Sequence, residues 1–123
     1  DGFQAHHVNQ NAAYKSIIPK DEGFAIGIRG NAFTDAGTPH YEFHKSLDGF
    51  FDSYRKGGDS FGELPTNAQY GEAVTQALKD AGLSSAEASK LSDFARLNRE
   101  AFGLKQSDPI PRVPRKIYQS GGN

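Results

Sequence analysis

Apolar and small residues alternate at period two through Gly23-Phe24-Ala25-Ile26-Gly27-Ile28-Arg29-Gly30-Asn31-Ala32-Phe33, the pattern of a half-buried strand or hairpin, with glycines that suggest a bulge or a close backbone approach. Residues 3–8 predict a short strand running into a turn at Asn9-Gln10-Asn11. From Thr38 the period becomes helical: Thr38 is placed as N-cap, Pro39 as the first helical residue, and Tyr41, Phe43, His44, Leu47, Phe50, Phe51 and Tyr54 follow at helical spacing until Gly57-Gly58. Thr66-Asn67-Ala68-Gln69 is a capping box that opens a helix with Tyr70, Ala73, Val74, Ala77 and Leu78 on one face and a stop at Gly82. Ser84-Ser85-Ala86-Glu87 repeats the box ahead of Ala88, Leu91, Phe94, Ala95, Leu97 and Phe102, and Gly103 ends the pattern. These two segments predict a helical hairpin. Beyond Ser107, Pro109, Pro111 and Pro114 exclude helix and predict an extended, polyproline-like tail along the surface.

The strands and helices together predict an α+β fold, and nothing along the chain divides it, so residues 1–123 are expected to share one core. A chain of 123 residues buries roughly two-thirds of the surface of its unfolded form. Nine Phe and five Tyr supply the apolar bulk, and no stretch approaches the ~20 apolar residues of a membrane span, so a soluble protein is expected. Cysteine is absent, which excludes disulfides and thiolate metal sites. The chain opens on Asp1-Gly2-Phe3 with neither methionine nor a signal-peptide pattern, and reads as a piece of a longer protein.

A net charge of −1 argues weakly against nucleic-acid binding, but its distribution is uneven. Residues 96–123 hold Arg96, Arg99, Lys105, Arg112, Arg115 and Lys116 against Glu100 and Asp108, a net of +4 that leaves −5 for the remainder. Such an end can follow a phosphate backbone, or it can be a solvated helix face and tail.

Histidine placement is the chemical signal. All four fall in two clusters in the first third of the chain, His6-His7 and His40-x-x-x-His44. A helix brings positions i and i+4 to one face, so His40 and His44 can close on one divalent cation, with the strand pair supplying a third nitrogen and open positions left for water and a phosphate oxygen. Successive strand residues face opposite ways, so His6 and His7 divide the work: His6 is assigned to the metal and His7 as general base, a role suited to an imidazole near pKa 6.5. Isolated helical histidines are more often surface or satisfied core residues, and it is the two clusters together that favour a metal site. A zinc-protease helix needs Glu directly after its first His, where this chain has Tyr41, with Glu42 turned off the metal-facing side.

Ala5-His6-His7, Gly30-Asn31 and His40-x-x-x-His44 resemble the His-Asn-His (HNH)/endonuclease VII superfamily of ββα-metal nucleases, and more narrowly the Ala-His-His toxin domains of bacterial polymorphic toxins. The likeness covers residues 5–54. It implies a small ββα-metal core at about 3–55, extended by a C-terminal helical hairpin and proline-rich tail at about 59–123. It also implies His6, His40 and His44 as metal ligands, His7 as general base, and Asn31 bracing the loop and orienting that base. Arg29 and Lys45, close in sequence to Asn31 and His44, are candidate phosphate contacts. One divalent ion is expected; three imidazoles suit Zn²⁺, Ni²⁺ or Cu²⁺ better than Mg²⁺, without fixing the working ion, and Mn²⁺ also remains open.

The resemblance implies metal-dependent phosphodiester hydrolysis, on DNA before RNA, by the C-terminal toxin domain of a secreted bacterial effector. Such a toxin would act in the target-cell cytoplasm and be held in check by a cognate immunity protein. An RNase on the same scaffold is the near alternative, since nothing in the motif reads a 2′-hydroxyl. A non-catalytic helical module, docking a partner through its aromatic helix and the 110–116 tail, is the other.

Overall fold

The computed structural model describes residues 3–7, 9, 11–14, 16–18, 25–29 and 39–114; in the two strands and at residues 11, 12 and 40 it describes the backbone alone. In chain order the elements are β1 (Phe3–His7), α1 (Asn11–Tyr14), β2 (Ala25–Arg29), α2 (Pro39–Phe51) running into a 3₁₀ turn at Asp52–Tyr54, α3 (Asn67–Asp80) and α4 (Ser85–Ala101).

Both capping boxes form. Thr66 Oγ1 accepts from Gln69 N at 3.1 Å while Gln69 Oε1 accepts from Thr66 N at 2.8 Å, and Ser84 and Glu87 make the same exchange at 3.1 and 3.2 Å. Each box satisfies donors that a helix start would otherwise leave unpaired. At the far ends, Gly82 and Gly103 take φ of +107° and +87°, a left-handed turn that a Cβ would disfavour. α2 begins at Pro39 as expected, whereas Thr38 lies outside the described residues.

The core is helix on helix. Phe43, Leu47 and Phe51 form a buried stripe at four-residue steps on α2, facing Tyr70, Val74, Ala77 and Leu78 of α3, and α4 adds Ala88 and Ala95. Tyr70 is central, edge-on to Tyr14 at 5.2 Å and stacked on Phe51 at 6.2 Å between ring centroids.

The α+β expectation, with a ββα-metal core as its centre, is overturned. Residues 39–114 contain three long helices and no strand, and the buried apolar residues among those described come from α1–α4 and the loops beside them. β1 and β2 pair as an antiparallel two-stranded ribbon, Phe3 opposite Arg29 and His7 opposite Ala25, but the fold is predominantly helical. Two strands of five residues are marginal alone, whereas two fully capped helices of 14 and 17 residues with an apolar seam build a core directly.

Two smaller expectations change as well. On α4, Phe94 and Leu97 are 44% and 51% exposed, and the buried face is Ala88, Ala95 and Arg99. The approach to α3 is made at small residues, where Thr75 Oγ1 and Ser92 Oγ hydrogen-bond at 2.8 Å across the seam. The proline-rich segment is not a surface strap over 108–114: Ile110 and Pro114 are buried. Asp108 and Gln106, at and just before its start, complete the opening of α3: Asp108 O accepts from Asn67 N at 2.8 Å and Gln106 O from Ala68 N at 3.0 Å, and Ile110 N donates to Pro65 O at 2.9 Å.

Two substitutions test this assembly by urea unfolding. Ile110→Ala is expected to lose about 2–5 kcal/mol as a buried large-to-small change. Thr66→Ala, which removes one capping oxygen, should lose about 1 kcal/mol. A loss at Ile110 no larger than at Thr66 would place the tail outside the core.

Candidate functional site

The ribbon register puts His6 and His7 at the C-terminal end of β1, opposite Ile26 and Ala25. β2 also comes within 8 Å, Cα to Cα, of α2, so the strand that holds β1 adjoins the helix that carries the other two histidines. His40 is the second residue of α2 and His44 lies one turn on, half-buried with its ring edge-on to Phe43 at 5.6 Å. The spacing expected of an i, i+4 pair is therefore realised in the backbone of a helix.

Lys45 is exposed beside His44. Arg29 ends β2 opposite Phe3, the far end of the ribbon from His7, roughly 13 Å away at about 3.3 Å per residue. Asn31 lies outside the described residues. Among the described residues no three His, Asp or Glu side chains come together as a metal group, and the side chains of His6, His7 and His40 are not among those described. The donor set itself, imidazole nitrogens from a strand end and a helical turn without thiolate, fits a borderline divalent ion such as Zn²⁺.

Around these elements the structure adds polar contacts that no sequence motif announced. Arg99 is 1% exposed. Its Nη1 donates to Asn9 Oδ1 at 2.8 Å, its Nη2 reaches Gln106 Oε1 at 3.4 Å, and its guanidinium sits 5.6 Å from the centre of the Tyr70 ring. Nε has no hydrogen-bond partner, and no carboxylate pairs with this arginine among the described residues. Burial pulls the Arg99 pKa down from its ordinary value, partly opposed by Tyr14 and Tyr70. Asn9, itself buried, donates through Nδ2 to Ala95 O at 2.8 Å and Asn98 Oδ1 at 3.3 Å. The one signal in the sequence was that Arg99 continues the small-residue face of α4, following Ala88, Ser92 and Ala95 at helical spacing.

A second tie closes α2. Arg55 gives Nη2 to Asp48 Oδ1 at 2.8 Å and Nη1 to Asp52 Oδ1 at 3.0 Å and Asp48 O at 3.2 Å, while Nη2 and Nε reach Pro114 O at 2.9 and 3.2 Å. One guanidinium thereby caps the helix end, neutralises buried Asp48 and anchors the tail. A third contact is internal: Tyr14 OH donates to Asn67 Oδ1 at 2.8 Å, and Asn67 Nδ2 donates to Asp108 O at 2.9 Å.

Comparison of the chain with known protein families, with curated proteins and with solved structures finds no match.

The Tyr14 phenol has a pH signature. Burial, with Tyr70 adding to it and Arg99 opposing, raises its pKa above the ordinary 10.0, so the folded chain keeps a proton that the unfolded chain releases. Its stabilisation is fully present below pH 10 and should fall by about 1.4 kcal/mol per unit as pH rises above that value. Tyr14→Phe should remove this component of the alkaline slope and, at neutral pH, lower stability by about 1–3 kcal/mol because Asn67 Oδ1 loses its donor. Urea midpoints for both proteins between pH 8 and about 11 check both effects; parallel pH curves would contradict a neutral, hydrogen-bonded Tyr14.

Proposed function

We propose that this chain is a metal-dependent phosphodiester hydrolase that cuts nucleic acid, DNA before RNA, and serves as the toxic domain of a secreted bacterial effector. The observation that supports it is placement: every histidine of the chain lies either at the end of β1 or on the first two turns of α2, and β2, paired to β1, adjoins α2. The Ala5-His6-His7, Gly30-Asn31 and His40-x-x-x-His44 pattern shared with the HNH/endonuclease VII superfamily points the same way.

In this reading His6, His40 and His44 hold one divalent ion, Zn²⁺ fitting the ligands best. Bound there, the ion would offset charge on the phosphate and on the leaving oxygen. His7 takes a proton from water, the water oxygen forms the new bond to phosphorus, and the bond to the leaving oxygen breaks. Asn31 orients His7, and Lys45, exposed beside His44, meets the phosphate being cut. Arg29, at the other end of the ribbon, would meet a neighbouring phosphate. A toxin of this kind requires a cognate immunity protein in the producing cell and acts in the cytoplasm of the target. Among the described residues no helix is long and apolar enough to cross a membrane.

One observation favours the non-enzymatic reading instead: Phe61, Leu64, Phe94 and Leu97 are large apolar residues left exposed, as a docking module would have them.

Plasmid and total RNA incubated side by side, with Zn²⁺, Mn²⁺ or Mg²⁺ and then with chelator, separate the readings. Metal-dependent cleavage that chelation abolishes is expected, with plasmid cut more readily. His7→Ala should lower the rate by about 10²–10⁴-fold, the range of a general base. His40→Ala and His44→Ala should weaken metal binding. Full activity in His7→Ala would remove that residue from the chemistry, and an inert protein that binds no ion would favour the docking module.

A further inference from the structure

We infer that Asn9 and Arg99 form a positioning clamp that fixes the end of β1, and with it the His6-His7 pair, to the helical core. This rests on the metal-site reading above and adds to it the residues that hold one half of the site in place.

The clamp begins with a buried cation that packing alone does not explain. An ionised guanidinium out of water, without a carboxylate, is unfavourable compared with an apolar side chain of similar volume. Leu or Met at position 99 would fill the seam without that penalty. What arginine adds is direction: Nη1 to Asn9 Oδ1 at 2.8 Å, a charge-assisted bond between groups 90 residues apart in the chain. Asn9 in turn uses both ends of its amide. Its oxygen faces the only kind of group Arg99 offers, a donor, and its nitrogen faces the Ala95 carbonyl at 2.8 Å, so the amide orientation is fixed by its partners.

Asn9 stands two residues past His7, the last residue of β1. Two residues of extended chain span at most about 7 Å, so fixing Asn9 restricts where the strand can end. Metal ligands and a general base need placement within about 0.5 Å, and a free strand end does not give that. The same guanidinium lies on Tyr70, whose other neighbour is Phe51 of α2 at 6.2 Å. Both histidine clusters are thereby referred to one point of the core, the first through Asn9 and the second through the helix on which His40 and His44 lie.

Zinc titration by calorimetry, plasmid cleavage and far-UV circular dichroism on the intact chain test the clamp. Asn9→Ala is expected to keep its helical signal, to bind Zn²⁺ about 10–100-fold more weakly, the range seen when a group supporting a metal ligand is lost, and to lose kcat with little change in KM. Arg99→Met should do the same and Arg99→Lys, which keeps a donor for Asn9, should recover part of the affinity. If the buried Arg99 variants fail to fold, Asn9→Ala decides alone. Zinc affinity and kcat equal to the parent in Asn9→Ala would overturn the clamp while leaving the nuclease reading intact. An affinity that falls only in step with the helical signal would overturn it too, as a contact of the fold and no more. A parent chain that neither binds zinc nor cuts nucleic acid would remove the site the clamp is meant to hold.

Discussion

A guanidinium sealed from water and paired with no carboxylate among the described residues has to be satisfied by the neutral groups the fold can bring, and at Arg99 this requirement draws three separate parts of the chain together. Asn9 comes from the N-terminal segment, Gln106 from the loop after α4, and Tyr70 from the first turn of α3. Each partner has a second obligation: Asn9 to the Ala95 carbonyl, Gln106 through its own carbonyl to Ala68 N, and Tyr70 to Tyr14 and Phe51. Moving one of them disturbs two contacts, which is how a single buried charge constrains a small domain.

The room for that charge comes from side chains that are missing. Gly71 faces Arg99, and a Cβ built there would come within 3.2 Å of Nη2. Thr75 and Ser92 meet through hydroxyls and share the Gly71 carbonyl, at 3.0 and 3.2 Å. A seam of Gly, Ala, Ser and Thr lets α3 and α4 approach closely enough for a long side chain to run between them. Phe94 and Leu97 are exposed because helical phase places them off the Ala88, Ser92, Ala95 and Arg99 stripe of α4.

Helix boundaries were legible in the chain because each is set by local chemistry. The Thr66 and Ser84 boxes and the left-handed turns at Gly82 and Gly103 involve residues three or four apart and need no knowledge of the rest of the fold. The buried face of α3 was legible for the same reason. On α4, residue size points to Phe94 and Leu97, whereas small residues and one arginine make the seam. The fold class failed on relative weight: two strand-like segments suggest a sheet at the centre, while the helices that hold the core read as an extension of it. The clamp was not legible, since Asn9 and Arg99 have no periodic relation and only the folded chain brings them together. Of the site, His6 and His7 lie on β1 and His40 and His44 on α2, while Asn31 lies outside the described residues.

The correction to the fold changes what would hold a metal site rather than which residues would form it. In a sheet-centred core the strand ends would be fixed by their own packing, and the helix would be laid across them. In this helical protein the order is reversed. α2 is fixed first, by Phe43, Leu47 and Phe51 on one stripe and by Arg55, which ties its end through Asp48 to the tail at Pro114. His44 and Asp48 are one turn apart beside that stripe, so rotation of α2 about its axis would pull buried aromatics out of the core before it moved His44. In the clamp proposed above, the ribbon, two strands of five residues, depends on the contact that Asn9 makes just past β1. That dependence is the reason a contact as distant in sequence as Asn9 to Arg99 belongs to the chemistry proposed for the histidines: the helical half supplies the fixed frame, and the strand half has to be brought to it.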